Sequence, residues 1–196
     1  QVYTSENNSW LFEFPSLPKG RFNSVCFVYR DSLYVFGGTD NSSNMNEIVR
    51  YDLSTQNSGE WTTIAKVNEA NQRGGVAFVV EDKVYAGLGE KSNGIRNGFY
   101  VSSDSLTKWE LIPSIPAQLG VISSGVYDEQ KKSFFMIDND GKIWEYNLTT
   151  EQWTSRSLCI RMKNYHMFML DGSIYILGQD IYQKNKFTVY NPIWDN

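Results

Sequence analysis

The chain has 196 residues, enough for one substantial core or two small ones. With 41% apolar and 20% charged residues it has an ordinary globular composition, not a disordered one. A net charge of −4 and a pI near 5.1 argue against nucleic acid as the main partner, since such binders concentrate basic residues on one face.

No apolar run approaches the ~20 residues of a membrane helix. The two cysteines, Cys26 and Cys159, are too few for a disulfide framework and read as small buried thiols. Aromatics make up 15% of the chain, with 12 Tyr, 11 Phe and 6 Trp. Together with Val and Ile they favour strands, which tilts the expectation towards an all-β fold.

The chain opens with a tyrosine, a polar turn and a tryptophan, YTSENNSW at 3–10. Two apolar, partly alternating runs follow, SVCFVY at 24–29 and LYVFGG at 33–38, joined by Arg30-Asp31. Runs joined by a short Asp-containing turn read as a hairpin. Next comes YDLSTQNSGEW at 51–61, a second Tyr, turn and Trp. The cycle then repeats. GVAFVV at 75–80 and VYAGLG at 84–89 flank Glu81-Asp82 and lead to YVSSDSLTKW at 100–109. VISSGVY at 121–127 and FFMIDN at 134–139 lead to YNLTTEQW at 146–153. HMFML at 166–170 and IYILGQ at 174–179 flank Asp171-Gly172 and lead to YNPIWDN at Tyr190. Successive tyrosines, at 3, 51, 100, 146 and 190, stand 48, 49, 46 and 44 residues apart. Each unit holds four short strands, and no window carries apolar residues at helical spacing between caps.

Four strands per unit, glycines after the second and Tyr…Trp after the third, resemble the kelch repeat of β-propellers. The matching residues are Gly37-Gly38, Tyr51 and Trp61, then Gly87, Gly89, Tyr100 and Trp109. The third unit keeps Tyr146 and Trp153 but carries Asp138-Asn139 in place of the glycines, and the fourth keeps Gly178 and Tyr190 with Gln179 for the second glycine. The resemblance implies one all-β propeller domain over residues 1–196, with four-stranded antiparallel blades at about 21–66, 73–115, 119–159 and 161–196. Residues 1–18 are expected to complete the last blade. The other arrangement is a larger propeller completed by further chain or by a partner.

The glycines do not make a nucleotide loop. GGTDNSSN opens no helix and carries no lysine. Kelch propellers include copper oxidases, but a single histidine, His166, cannot supply that ligand set, and no zinc site is evident. No catalytic residue, metal or cofactor is therefore assigned. SSDSLTKW at 102–109 resembles a sialidase Asp-box, which is a structural turn and not a catalytic element. His166 lacks a nucleophile elbow to serve.

In a kelch-like ring, the loops entering the first strand and those between second and third strands share one face around the channel. From the first set the candidates are Arg21, Asn23, Arg73, Arg161, Tyr165 and His166; from the second, Asp40, Glu90, Arg96 and Asp180. Arg21, Arg73 and Arg161 recur at one phase, so they either converge to hold a carboxylate or an acidic loop, or pair with acidic neighbours. The expected function is a non-catalytic binding module that presents this face to a protein or glycan. RFNSVCFVYRDSLYVFGG and DKVYAGLGEKSNGIRNGFYV are also similar to bacterial sialic-acid mutarotases, which implies as alternative a mutarotase- or lyase-like enzyme for an acidic sugar in the funnel. A third reading is a structural spacer in a larger surface protein. The abundance of Asn, Ser, Tyr and Lys suggests a secreted, periplasmic or cell-surface protein, with the cytoplasm left open.

Overall fold

A computed structural model describes residues 2–11, 15–55, 59–103, 105–158, 162–180 and 182–191. Its strands follow the repeat. The first blade is β3 (Val25–Tyr29), β4 (Ser32–Phe36), β5 (Glu47–Asp52) and β6 (Thr62–Lys66). The second is β7 (Val76–Val80), β8 (Lys83–Gly87), β9 (Phe99–Ser103) and β10 (Glu110–Leu111). The third is β11 (Ile122–Asp128), β12 (Ser133–Asp138), β13 (Lys142–Asn147) and β14 (Gln152–Leu158). The fourth has β15 (Lys163–Leu170), β16 (Ser173–Gln179) and β17 (Asn185–Tyr190) among the described residues. Every sheet is an antiparallel meander in sequence order. The only helical residues described are two 3-10 turns at Leu53–Thr55 and Asn68–Ala70. The sheets surround a central funnel, the arrangement of a four-bladed β-propeller.

The inner hairpins use the turn their sequences dictate. Arg30 and Asp31 have φ of 45° and 54°, and Asp171 and Gly172 have φ of 49° and 72°. Positive φ at both central residues is what the right-handed twist of a tight hairpin requires, and Asp and Gly accept it most readily.

A blade buries its two faces against its neighbours. Three apolar clusters do this, one per junction. Phe27, Tyr34 and Phe36 of the first blade meet Val84, Ala86 and Trp109 of the second. Phe78 and Phe99 of the second meet Phe134, Tyr146 and Trp153 of the third. Phe135 and Ile137 of the third meet Met167, Ile176 and Tyr190 of the fourth. At each junction a repeat-marking Tyr or Trp rests on a phenylalanine of the blade before it. The ring centroids lie 5.2 Å apart for Phe36 and Trp109, 6.0 Å for Phe99 and Trp153, and 6.3 Å for Phe135 and Tyr190.

The glycine doublet sits where backbones from two blades come closest. Gly37 has a φ of 64°, and a Cβ there would strike the carbonyl oxygens of Ala70 and Gln72. Gly38, at φ 98°, donates its N–H to the Gln72 carbonyl at 2.8 Å. Only glycine accepts both the left-handed backbone and the approach. In the third blade the place is taken by Asp138, which is buried. Its Oδ1 accepts the N–H groups of Asp140 and Lys142 at 3.0 and 2.9 Å, and its Oδ2 accepts Trp144 Nε1 at 2.9 Å. That blade thus replaces backbone permissiveness with a side-chain staple.

The N-terminal residues behave differently from expectation in one respect. Val2–Thr4 (β1) and Ser9–Leu11 (β2) pair with each other as a separate hairpin, with Tyr3 opposite Trp10. Residues 12–14, part of the strand expected to close the last blade, lie outside the described residues, as does Cys159. Trp61 Nε1 donates to the Pro15 carbonyl at 2.9 Å, which ties Pro15 to the first blade. Cys26, expected to be buried, is exposed on β3, because the alternation of that strand turns it away from the core.

Gly37→Ala is expected to lower unfolding free energy in urea by at least about 1 kcal/mol, the cost of a left-handed non-glycine residue before any clash. Gly20→Ala, where a Cβ meets nothing within 4 Å, is expected to stay within about 0.5 kcal/mol of wild type. Equal effects at the two positions would contradict the close-approach role.

Candidate functional site

The loops that enter the first strands and those that join second to third strands meet over the funnel mouth. They line a cavity of about 420 Å³. Four blades contribute to it: Asn23 from the first, Arg73 and Glu90 from the second, Ser123 and Asn139 from the third, Tyr165 and His166 from the fourth.

Neighbouring loops are tied by backbone bonds at this rim. The Asn23 carbonyl accepts the Gly74 N–H at 2.7 Å, and the Val121 carbonyl accepts the Asn139 N–H at 3.0 Å. Asn23, Gly74 and Asn164 all have positive φ, at 51°, 66° and 56°. They mark the same kink at or just before the start of the inner strands of the first, second and fourth blades, where Asn and Gly are the residues that tolerate it.

Arg73 and Glu90 are joined twice, Nε to Oε2 at 3.1 Å and Nη2 to Oε1 at 3.0 Å, and their backbones exchange hydrogen bonds at 3.0 and 2.9 Å. The hydrogen bonds that Arg73 donates to Glu90 raise the Arg73 pKa further above its ordinary value. The forked geometry makes this a charge-neutral unit at the cavity wall. Ser123 Oγ donates to Asn139 Oδ1 at 2.5 Å, and Asn164 Nδ2 donates to Gln179 Oε1 at 3.2 Å. Tyr165 is buried, with its hydroxyl accepting the Met162 N–H at 3.0 Å. His166 is exposed.

Of the residues singled out by sequence, Asn23, Arg73, Glu90, Tyr165 and His166 come together here. The other described ones stand elsewhere. The Arg21 side chain is fully buried, donating to Glu47 Oε2 at 3.0 Å and to the Gly37 carbonyl at 3.2 Å. Burial pushes the Glu47 carboxyl up, yet hydrogen bonds from Arg21 and Lys66 outweigh it and hold the group below the ordinary range. Arg96 spans a blade junction, donating to the carbonyls of Leu119 and Asn97 at 2.9 and 3.0 Å, and burial lowers its pKa. Arginines at this rim therefore act as ties between loops, not as open anion receptors. Arg161 lies outside the described residues.

Asp40 and Asp180 organise their own loops. Asp40 Oδ1 accepts the N–H groups of Ser42 and Ser43 at 3.0 and 3.1 Å, while Oδ2 pairs with Lys19 at 2.6 Å. Asp180 Oδ1 accepts the Tyr182 and Lys184 N–H groups at 2.9 Å each. With Asp138 they form one recurring device, an aspartate that nucleates the loop after the second strand. Ser123, Asn139 and Asn164 were missed from sequence. A signal existed for Asn164, an asparagine at the same phase as Asn23, but none marked Ser123.

Among the described residues no group of three or more His, Cys, Asp or Glu is gathered as metal ligands. No described helix is long and apolar enough to cross a membrane.

Comparison with known families agrees with the geometry. The family model for the Kelch motif matches residues 20–68, the whole first blade with its glycine doublet and Tyr51…Trp61. That motif in the first blade and the four-bladed architecture together support a kelch-repeat β-propeller, a fold commonly used as an interaction module. No curated protein matches the chain, and the likeness to sialic-acid mutarotases finds no support beyond kelch positions.

Hydrogen bonds from Lys19, then from the Ser42 and Ser43 amides, lower the Asp40 pKa from 3.8 to about 2. A depressed folded-state value means that Asp40 contributes stability fully above about pH 4, and that this is lost as pH falls towards 2. An NMR titration of the Asp40 carboxyl is expected to show a midpoint near 2, shifting upward in Lys19→Ala. A midpoint unmoved by that substitution would contradict the assignment.

Proposed function

We propose that this propeller is a non-catalytic binding module whose ligand face is the funnel mouth, and that its ligand is a polar, uncharged protein loop. One observation carries the reading. A cavity of about 420 Å³ is lined from four blades by side chains that both donate and accept hydrogen bonds, while its one described arginine is neutralised by Glu90. Such a wall suits backbone amides and carbonyls and hydroxyl or amide side chains. It does not favour a free carboxylate, because a cation engaged twice by a glutamate must give up that pair to bind another anion. Blade packing holds the loops rigid, so little ordering cost falls on the binding step. The fold raises the prior for interaction only by analogy; the site carries the argument.

The probe is a displayed library of constrained peptide loops selected on the whole protein, with a neutral-glycan array in parallel. Selected loops are expected to lose at least tenfold in affinity for a combined Asn139→Ala, Asn164→Ala, His166→Ala variant that keeps the wild-type melting curve. Selection of loops indifferent to the funnel variant, or funnel-dependent binding of glycans alone, would overturn the proposal.

A further inference from the structure

The two sides of a blade are not equivalent. One side, here called leading, carries in the first, second and fourth blades a phenylalanine of the inner strand opposite a tyrosine of the next strand; in the third it carries Val126 opposite Phe135. The pairs are Phe27 with Tyr34, Phe78 with Tyr85 and Phe168 with Tyr175, each directly opposed in register. The other side, trailing, carries the Tyr…Trp marks. Each internal junction sets a leading face against a trailing face.

The first and fourth blades repeat the leading geometry closely. Phe27 and Tyr34 stack with centroids 5.3 Å apart and planes 8° off parallel; Phe168 and Tyr175 do so at 5.2 Å and 9°. Their surroundings differ. Phe27 is 7% exposed beneath the second blade, whereas Phe168 is 40% exposed, and Leu170 and Phe187 on the same face are 54% and 58% exposed. Among the described residues nothing covers this sheet face, and an apolar face of this kind marks an interaction site.

The complementary half stands at the other end of the chain. In the β1–β2 hairpin Tyr3 and Trp10 are paired in register with centroids 5.3 Å apart, the same ring separation that Tyr51 and Trp61 have in the first blade. Tyr3 is 48% and Trp10 55% exposed, while Tyr51 is fully buried. One molecule thus carries an uncovered leading face and an uncovered Tyr–Trp trailing pair, the two surfaces it joins to each other inside its own fold.

We propose that two copies of this chain associate head to tail, the Tyr3–Trp10 hairpin of one packing against the Phe168–Tyr175–Phe187 face of the other. The contact is heterologous and continues the blade-to-blade interface already present three times within the chain.

Sedimentation equilibrium of the full chain tests this. Wild type is expected to self-associate at micromolar concentrations. Phe168→Asp and Trp10→Asp, both at exposed positions, are each expected to raise the dissociation constant at least tenfold with an unchanged circular-dichroism melt; Phe187→Lys replaces Phe168→Asp, and Tyr3→Asp replaces Trp10→Asp, if either melts early. An equimolar mixture of Phe168→Asp and Trp10→Asp retains one intact junction and is expected to give a dimer and nothing larger. A monomer at all concentrations overturns the proposal. So does association weakened by Phe168→Asp but untouched by Trp10→Asp, which would mean that leading faces meet each other.

Discussion

The edge of an aromatic ring set against the ring of the blade before it is the contact on which this structure depends. A four-stranded sheet with two apolar faces is not stable alone in water. It becomes so when Trp109 lies against Phe36, Trp153 against Phe99 and Tyr190 against Phe135, each pair tilted so that the positive rim of one ring meets the negative face of another. The repeat marks of the sequence are therefore the residues that fasten one blade to the next, and the curvature they impose gathers four sets of loops over one funnel.

That packing explains the polar rim. Blades held close leave little room between their inner loops, so backbone groups of adjacent loops must bond one another. Glycine supplies the approach at Gly37 and Gly38, and buried amides supply the partners. Gln72 and Asn97, both fully buried, bond each other at 3.0 Å, and Gln72 Oε1 also accepts the Gly89 N–H at 3.1 Å. With the backbone satisfied in this way, the arginines of the rim serve as ties and the cavity wall is left polar without net charge.

The fold was legible because a period of 44 to 49 residues survives the decay of any single motif. Tyr100, Tyr146 and Tyr190 sit where the repeat placed them, on the face turned to the preceding blade. The site was legible only in part. Arg73 and Glu90 could be named from their phase, but their union across 17 residues could not, nor the turning inward of Arg21 onto Glu47. Pairing is decided by which loops the ring brings side by side, and that is not written in either loop. Asp138 looked like a lost glycine, while in the fold it is a gained staple for Trp144. The N-terminal residues showed the limit of counting strands: a Tyr…Trp pair was visible, but whether its strands joined the last blade or each other depends on long-range packing.

A double-mutant cycle across the first blade junction tests the central claim most directly. Phe36→Leu, Trp109→Leu and the double variant are compared by urea unfolding. If the aromatic contact fastens the blades, the coupling between the two positions is about 1 kcal/mol, the value typical of such ring pairs beyond their buried area. Additivity of the two single effects within about 0.3 kcal/mol would contradict it, and would assign the cohesion of the propeller to undirected apolar burial alone.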